Sequence, residues 1–183
     1  MRFDKLNNEL KAFRDYVIKQ ARTNLTKLKK NSSKGLYDSL KGTIAGGKDD
    51  LSLIFEMEFY GQFQDLGVDG KRVKHGAPFS FKDKMPPPSA LDKWIVNKGI
   101  APRDKQGRFM TRKQTQFMIA RGIFLKGIKP SLFFTKPFED GVKRAGKDFQ
   151  RALQKDVAIY MDEVVTKSNS KRWTEYRHEA PTL

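Results

Sequence analysis

Cysteine is absent from the 183 residues, and histidine is limited to His75 and His178. No disulfide and no thiolate zinc site is available, and two distant histidines are poor material for a metal centre. No apolar run approaches the roughly 18 residues that a membrane span needs. Met1-Arg2-Phe3-Asp4-Lys5 lacks the apolar core of a secretory signal, so a soluble intracellular protein with no membrane partner is expected. The phosphate-cradling glycine motifs are missing, as is the GxSxG nucleophile elbow. Glu56 and Glu58 alternate on one strand and share a face, but no histidine or aspartate lies near them in sequence. No catalytic constellation, cofactor or metal is expected.

Acidic residues are the scarcer sign. The chain has 37 Lys and Arg against 21 Asp and Glu, a net charge of +16. Such an excess speaks of partners, not of fold. It is concentrated in residues 71–130, with 15 basic and 3 acidic residues. Residues 36–70 are the reverse, with 2 basic and 7 acidic. Acidic and basic blocks of this kind let copies attract head to tail, or they are ordinary solvated faces.

Apolar periodicity then orders the chain. Phe3, Leu6, Leu10, Phe13, Val17, Ala21, Leu25 and Leu28 recur at three and four, which predicts a helix over 3–30. Its stripe packs on a core, or else meets a partner or a membrane surface. Residues 36–66 read as a β-hairpin. Leu36–Ala45 is one strand and Gly46–Asp50 the turn; Leu53, Phe55, Met57 and Phe59 alternate in the second strand, which runs on to Gly67. The Glu56 and Glu58 face is expected to be wet or to meet a basic neighbour.

Residues 68–126 read as an insertion. Val68–Gly76 is glycine-rich and basic, an exposed loop that orders on meeting a partner. Ser89 with Asp92 predicts a capped short helix over 90–98, with Leu91, Trp94 and Ile95 facing inward. Thr111 with Gln114 caps a second over 111–126, burying Phe117, Ala120, Ile123 and Phe124, with Gly122 where another backbone passes closely. Residues 127–138 carry Phe133, Phe134 and Phe138 between Pro130 and Pro137, and predict an extended segment that docks the last helix. That helix is placed at 138–166, on Phe138, Val142, Ala145, Phe149, Leu153, Val157, Tyr160 and Val164. Residues 167–183 are a tail in which Trp173 and Tyr176 stand beside Arg172 and Arg177, as an interaction motif or folded back on the domain. The class is α+β: a small antiparallel sheet packed by long N-terminal and C-terminal helices, with a helical, loop-rich insertion. One domain spans 1–166.

The order of these elements resembles the head–tail joining or tail-completion proteins of tailed bacteriophages, the neck or tail-component family. A long helix leads into a hairpin whose end, Tyr60-Gly61-Gln62-Phe63-Gln64-Asp65-Leu66-Gly67, is similar to the family's Tyr-x-x-Phe/Glu-Phe-Gly-Thr signature at Tyr60, Phe63 and Gly67. Here Asp65-Leu66-Gly67-Val68 replaces Glu-Phe-Gly-Thr. Pro130, Phe133, Phe134, Pro137 and Phe138 resemble its Pro-Phe-Leu/Phe-x-Pro-Ala signature. The resemblance covers roughly 1–67 and 127–166, and the insertion is longer than in the plainest members. It implies a non-enzymatic virion protein, a homo-oligomeric ring between portal or adaptor proteins and tail proteins, with viral DNA passing through. Arg72, Lys74, Lys82 and Lys84 against Glu56 and Glu58, with Trp173 and Tyr176, are the interface candidates. The alternative is a nucleic-acid-binding protein in which Phe79, Phe81 and Trp94 stack bases within the basic 71–130 segment.

Overall fold

The computed structural model describes residues 2–30, 33–47 and 50–178, with side chains up to residue 167. It is α+β. The elements run α1 (Asp4–Lys27), α2 (Gly35–Ser39), β1 (Lys41–Gly46), β2 (Leu51–Glu56), α3 (Gly61–Leu66) and β3 (Val68–Asp69). A 3₁₀ turn at Pro88–Leu91 precedes α4 (Asp92–Asn97), α5 (Arg112–Lys126), β4 (Gly127–Ile128) and α6 (Thr135–His178). β1 pairs with β2, and β3 with β4 antiparallel, so the small sheet component consists of two short ladders. No described helix is long and apolar enough to cross a membrane.

The chain divides into two compact units. The first comprises Met1–Asp15, Gly42–Ile54 and Asp140–Leu183; the second comprises Tyr16–Lys41 and Phe55–Glu139. In the first unit the start of α1 meets α6. Phe13 packs edge-on against Phe149, with ring centroids 5.5 Å apart. The carboxylate of buried Asp156 accepts hydrogen bonds from the backbone N–H groups of Lys5 at 3.0 Å and Leu6 at 2.9 Å. These are orphan donors of the first turn of α1, and a carboxylate there also meets the positive end of the helix dipole. This contact turns α6 about its axis. Its buried line runs through Gly141, Ala152 and Asp156, with Ala145 and Phe149 half-buried. Val142, Leu153, Val157, Tyr160 and Val164, assigned to the buried stripe by period alone, are exposed. The helix also starts three residues before its expected position and its backbone continues to His178.

The core of the second unit gathers Ala21, Leu25, Leu36, Leu40 and Phe133. Leu36 and Leu40 both reach it because residues 35–39 form a helical turn, which puts positions four apart on one side. The expected strand is therefore confined to its second half. Arg22 holds this turn, donating to the carbonyls of Tyr37 and Leu40 at 3.1 Å each while its guanidinium lies over the Tyr37 ring. α1 ends earlier than the Asn31–Gly35 breaker. Lys29 takes a left-handed conformation, and the N–H groups of Lys29 and Lys30 return to the carbonyls of Thr26 and Leu25. That is a Schellman ending without glycine. Leu28, at the end of the expected stripe, is exposed.

α5 begins with the expected capping box: Thr111 Oγ1 accepts from the Gln114 N–H and Gln114 Oε1 accepts from the Thr111 N–H. Its buried residues are Thr115 and Ala120, whereas Phe117 is exposed. Gly122 has nothing within 4 Å of where a Cβ would stand, so no backbone passes it closely. Its cost is uncompensated, and Gly122→Ala is expected to raise stability by about 1 kcal/mol in urea unfolding.

Candidate functional site

The two segments that carry the family resemblance lie far apart in sequence and meet in the second unit. Residues 60–67 are not the continuation of a strand. They form α3, which buries Gly61 and Asp65 four residues apart. Asp65, 4 % exposed, accepts from the backbone N–H of Phe134 at 2.8 Å and of Thr135 at 3.3 Å, and from the Thr135 hydroxyl. These are the first donors of α6, so a side chain from residue 65 caps a helix that starts 70 positions later. The return contacts come from the second segment. The N–H groups of Ser131 and Leu132 donate to the Asp65 carbonyl at 3.0 Å each. Leu132 is left at φ 48°, a strained conformation for a branched side chain.

Several of the motif residues pack here, whereas Tyr60 is exposed. Phe133 is wholly buried in the core. Phe134 and Phe138 stack on one another, and both meet Phe55 at the end of β2 edge-on. Pro137 is buried in the first turn of α6, where its missing N–H costs nothing. Gly67 has φ 80°, and a Cβ there would stand 2.7 Å from the Ile128 carbonyl oxygen and from the Pro130 ring. Phe63 packs against Phe59 and Phe79. Only Gly127–Ile128 of the expected extended stretch pairs as a strand; residues 133–134 form a turn into α6. Lys30 lies half-buried nearby: burial holds its ammonium below the ordinary lysine range, and the charge of Asp65 opposes that.

The insertion is closed at its base by β3 and β4, with Val68 opposite Ile128 and Asp69 opposite Gly127. The loop that follows is tied down at many points. The N–H groups of Lys71, Arg72 and Val73 donate to the carbonyls of Phe124 and Leu125, the last turn of α5. The His75 ring reaches the Lys126 carbonyl at 2.8 Å. Basic residues thus gather at the negative end of that helix, where its dipole favours them. Arg72, Lys74, Lys82 and Lys84 are all exposed. Phe79 and Phe81 face inward on Phe63 and Phe124, and Trp94 is exposed instead of pinning its helix. Ile95 takes the buried place. Asp92 makes no capping box with Ser89; it accepts from Gln116 at 2.7 Å and pairs with Arg112 at 3.5 Å, locking α4 to α5.

Asp69 holds the loop from within. Its carboxylate accepts from the His75 N–H at 2.6 Å and the Ala77 N–H at 3.2 Å. The His75 amide is the main cause that keeps this carboxyl below its ordinary value, aided by Ala77 and the charges of Lys74 and His75 and opposed by burial. A depressed pKa stabilises the fold above the ordinary carboxylate value and loses that contribution as pH falls through the depressed one. The His75 and Ala77 amide resonances are therefore expected to shift together, with a midpoint below 3.8. A midpoint at or above 3.8, or its persistence in Asp69→Asn, would refute this.

Two further surfaces of the second unit stand out. Glu56 ends β2, and Glu58 follows it with its N–H on Ser39 Oγ at 3.1 Å; both side chains are exposed. Between them and α3 lies Phe59, 74 % exposed. The neighbouring Tyr60 hydroxyl is pushed up by burial and by the charge of Glu58, against a bond from the Leu36 backbone. The second surface is an open groove of about 370 Å³ between α4 and α5, lined by Val96, Ile100, Phe109, Met110, Arg112 and Thr115. Arg103 lies over the Phe109 ring at 3.9 Å. Strand alternation places Glu56 and Glu58 on one face, which is exposed, but sets Phe59 in the apolar alternation with Leu53, Phe55 and Met57; it assigns no groove between α4 and α5. The side chains of Trp173 and Tyr176 lie outside the described residues. Among the described residues no group of three His, Cys, Asp or Glu is placed to hold a metal. No known protein family, curated protein or solved structure matches this chain.

Proposed function

We propose that this chain is a virion structural protein of the tailed-phage head–tail interface. In this reading it is a non-enzymatic neck or tail-completion protein. It is made in the cytoplasm of the bacterial host and assembles as a ring joining portal complex to tail around the DNA channel. The observation that carries the reading is the junction at Asp65. The two segments that resemble the family's signatures are in direct contact there: Asp65 caps the helix that begins after Phe134, and Gly67 stands against Ile128 and Pro130. A rigid junction of this kind suits a building block, and the exposed basic and acidic surfaces suit unlike contacts between neighbours.

In this reading the charge of the insertion faces protein neighbours. Reversing Arg72, Lys74, Lys82 and Lys84 to glutamate is expected to block particle assembly while leaving the monomer folded with its helix content intact, since all four are exposed. Normal assembly by that variant would sink the idea. The second reading, nucleic-acid binding, is favoured by one observation: Trp94 is exposed between Lys93 and Lys98. Electron microscopy of the protein with and without DNA separates the two. Closed rings without DNA support the first. Monomers that coat DNA, with affinity falling steeply in salt, support the second.

A further inference from the structure

Each chain carries a projecting aromatic in an acidic setting and an apolar groove in a basic one. Phe59 is not a loose side chain. Its ring rests edge-on against Phe63, which rests on Phe79. The Gly61 N–H closes a turn onto the Glu58 carbonyl at 2.8 Å, fixing the backbone on either side. An aromatic held in place while largely in water is a preorganised anchor, since little freedom remains to be lost on binding. Glu56 and Glu58 flank it. The groove presents Val96, Ile100 and Phe109, with Arg112 on its lining. Lys98, Arg103, Lys105 and Arg108 lie in the same short stretch of chain. Arg112 and Arg108 are paired with Asp92 and Asp104, and Lys98 donates to the Lys29 carbonyl, so the charge left for an acidic partner is that of Arg103, which lies over the Phe109 ring, and of Lys105.

We infer that Phe59 of one copy, with Glu56 and Glu58 beside it, enters the groove between α4 and α5 of the next copy, its carboxylates facing Arg103, which lies over the Phe109 ring. The contact joins unlike surfaces, so it propagates head to tail, as a ring or a filament requires. This inference rests on the ring reading above and names the contact that would build it.

The absence of cysteine makes the test clean. Full-length Glu56→Cys and Ala101→Cys proteins, altered at exposed positions beside the anchor and on the groove lining, keep Phe59, Glu58 and Phe109 in place; they are mixed and treated with a short bismaleimide. A 56–101 heterodimer is expected at least tenfold above either homodimer. Glu58→Arg in the first protein or Arg103→Glu in the second is expected to abolish it, and the two together to restore it; Phe59→Ala in the first is expected to abolish it as well. No heterodimer above background overturns the inference. Wild-type rings seen by electron microscopy without that crosslink overturn this contact but leave the ring standing. A crosslink in a protein that forms filaments and no rings supports the contact and counts against the ring. In intact particles, capture of another virion protein by Ala101→Cys in place of Glu56→Cys assigns the groove to that protein and overturns the self-contact.

Discussion

Asp65→Ala is expected to lower stability by about 4 kcal/mol, because it strands three donors at a site that water does not reach. The amides of Phe134 and Thr135 and the Thr135 hydroxyl all end on this carboxylate. An unsatisfied buried donor costs about 1–3 kcal/mol, and the positive end of a long helix loses its counter-charge as well. The half-buried Lys30 ammonium loses the charge that opposes its desolvation. In a chain of this length the loss corresponds to a fall in Tm of about 10 °C. Asp65→Asn keeps the volume and one acceptor oxygen, and is expected to recover roughly half. Urea unfolding followed by circular dichroism reads both. A change under about 1 kcal/mol for Asp65→Ala would show that the start of α6 is held by other means, such as the burial of Phe133.

Gly127→Ala is expected to be about as damaging, for a different reason. At φ 76° the residue sits where a side chain costs about 1–2 kcal/mol in backbone strain alone. A Cβ would also stand 2.1 Å from the Val68 carbonyl oxygen and 2.5 Å from the Gly70 nitrogen. Both obstacles are backbone, so no side-chain rotation relieves them. β3 and β4 must separate, and with them go the bonds that tie residues 71–73 to the end of α5. The damage is expected to centre on the insertion, with faster amide exchange across 68–81 and 124–128. A total loss of about 4 kcal/mol combines strain, clash and lost pairing. Gly122→Ala, only five residues away, carries the opposite expected sign. Uniform exchange across the chain in Gly127→Ala would show that the insertion does not open as a unit.

Both residues lie where the chain closes on itself, and neither prediction follows from local pattern. Asp65 reads in sequence as one residue in the run of a strand on to Gly67, with nothing local to mark it as the cap of a helix 70 residues on. Gly127 reads as a helix stop, which it is, but its tight contact with Val68 and Gly70 belongs to a pairing across nearly 60 residues.

Periodicity and capping chemistry were sufficient for much of the scaffold. The spacing of Phe13, Val17, Ala21 and Leu25 places a helix and its buried face, because one stripe of a 3.6-residue repeat can meet one neighbour. The Thr111–Gln114 box was legible because both partners lie within one turn. The alternation of Leu53 and Phe55 marks β2 for the same local reason, although the same pattern carries on to Met57 and Phe59, beyond the end of the strand at Glu56. The charge contrast between the acidic hairpin segment and the basic insertion is likewise a property of composition.

Tertiary structure decided what distance in sequence conceals. Asp156 caps α1 and Asp65 caps α6 across about 150 and 70 residues, and the first of these turns α6 so that Val142, Leu153 and Val157 are left exposed. Trp94 and Phe117 carry enough apolar surface to be assigned to the core, yet Ile95 and Thr115 occupy the buried places. The groove between α4 and α5, and Phe59 beside Glu56 and Glu58, exist only once the helices pack and the strand ends. Local periodicity says which residues share a face. Which face is covered depends on the few long-range hydrogen bonds that a buried carboxylate cannot leave unmade.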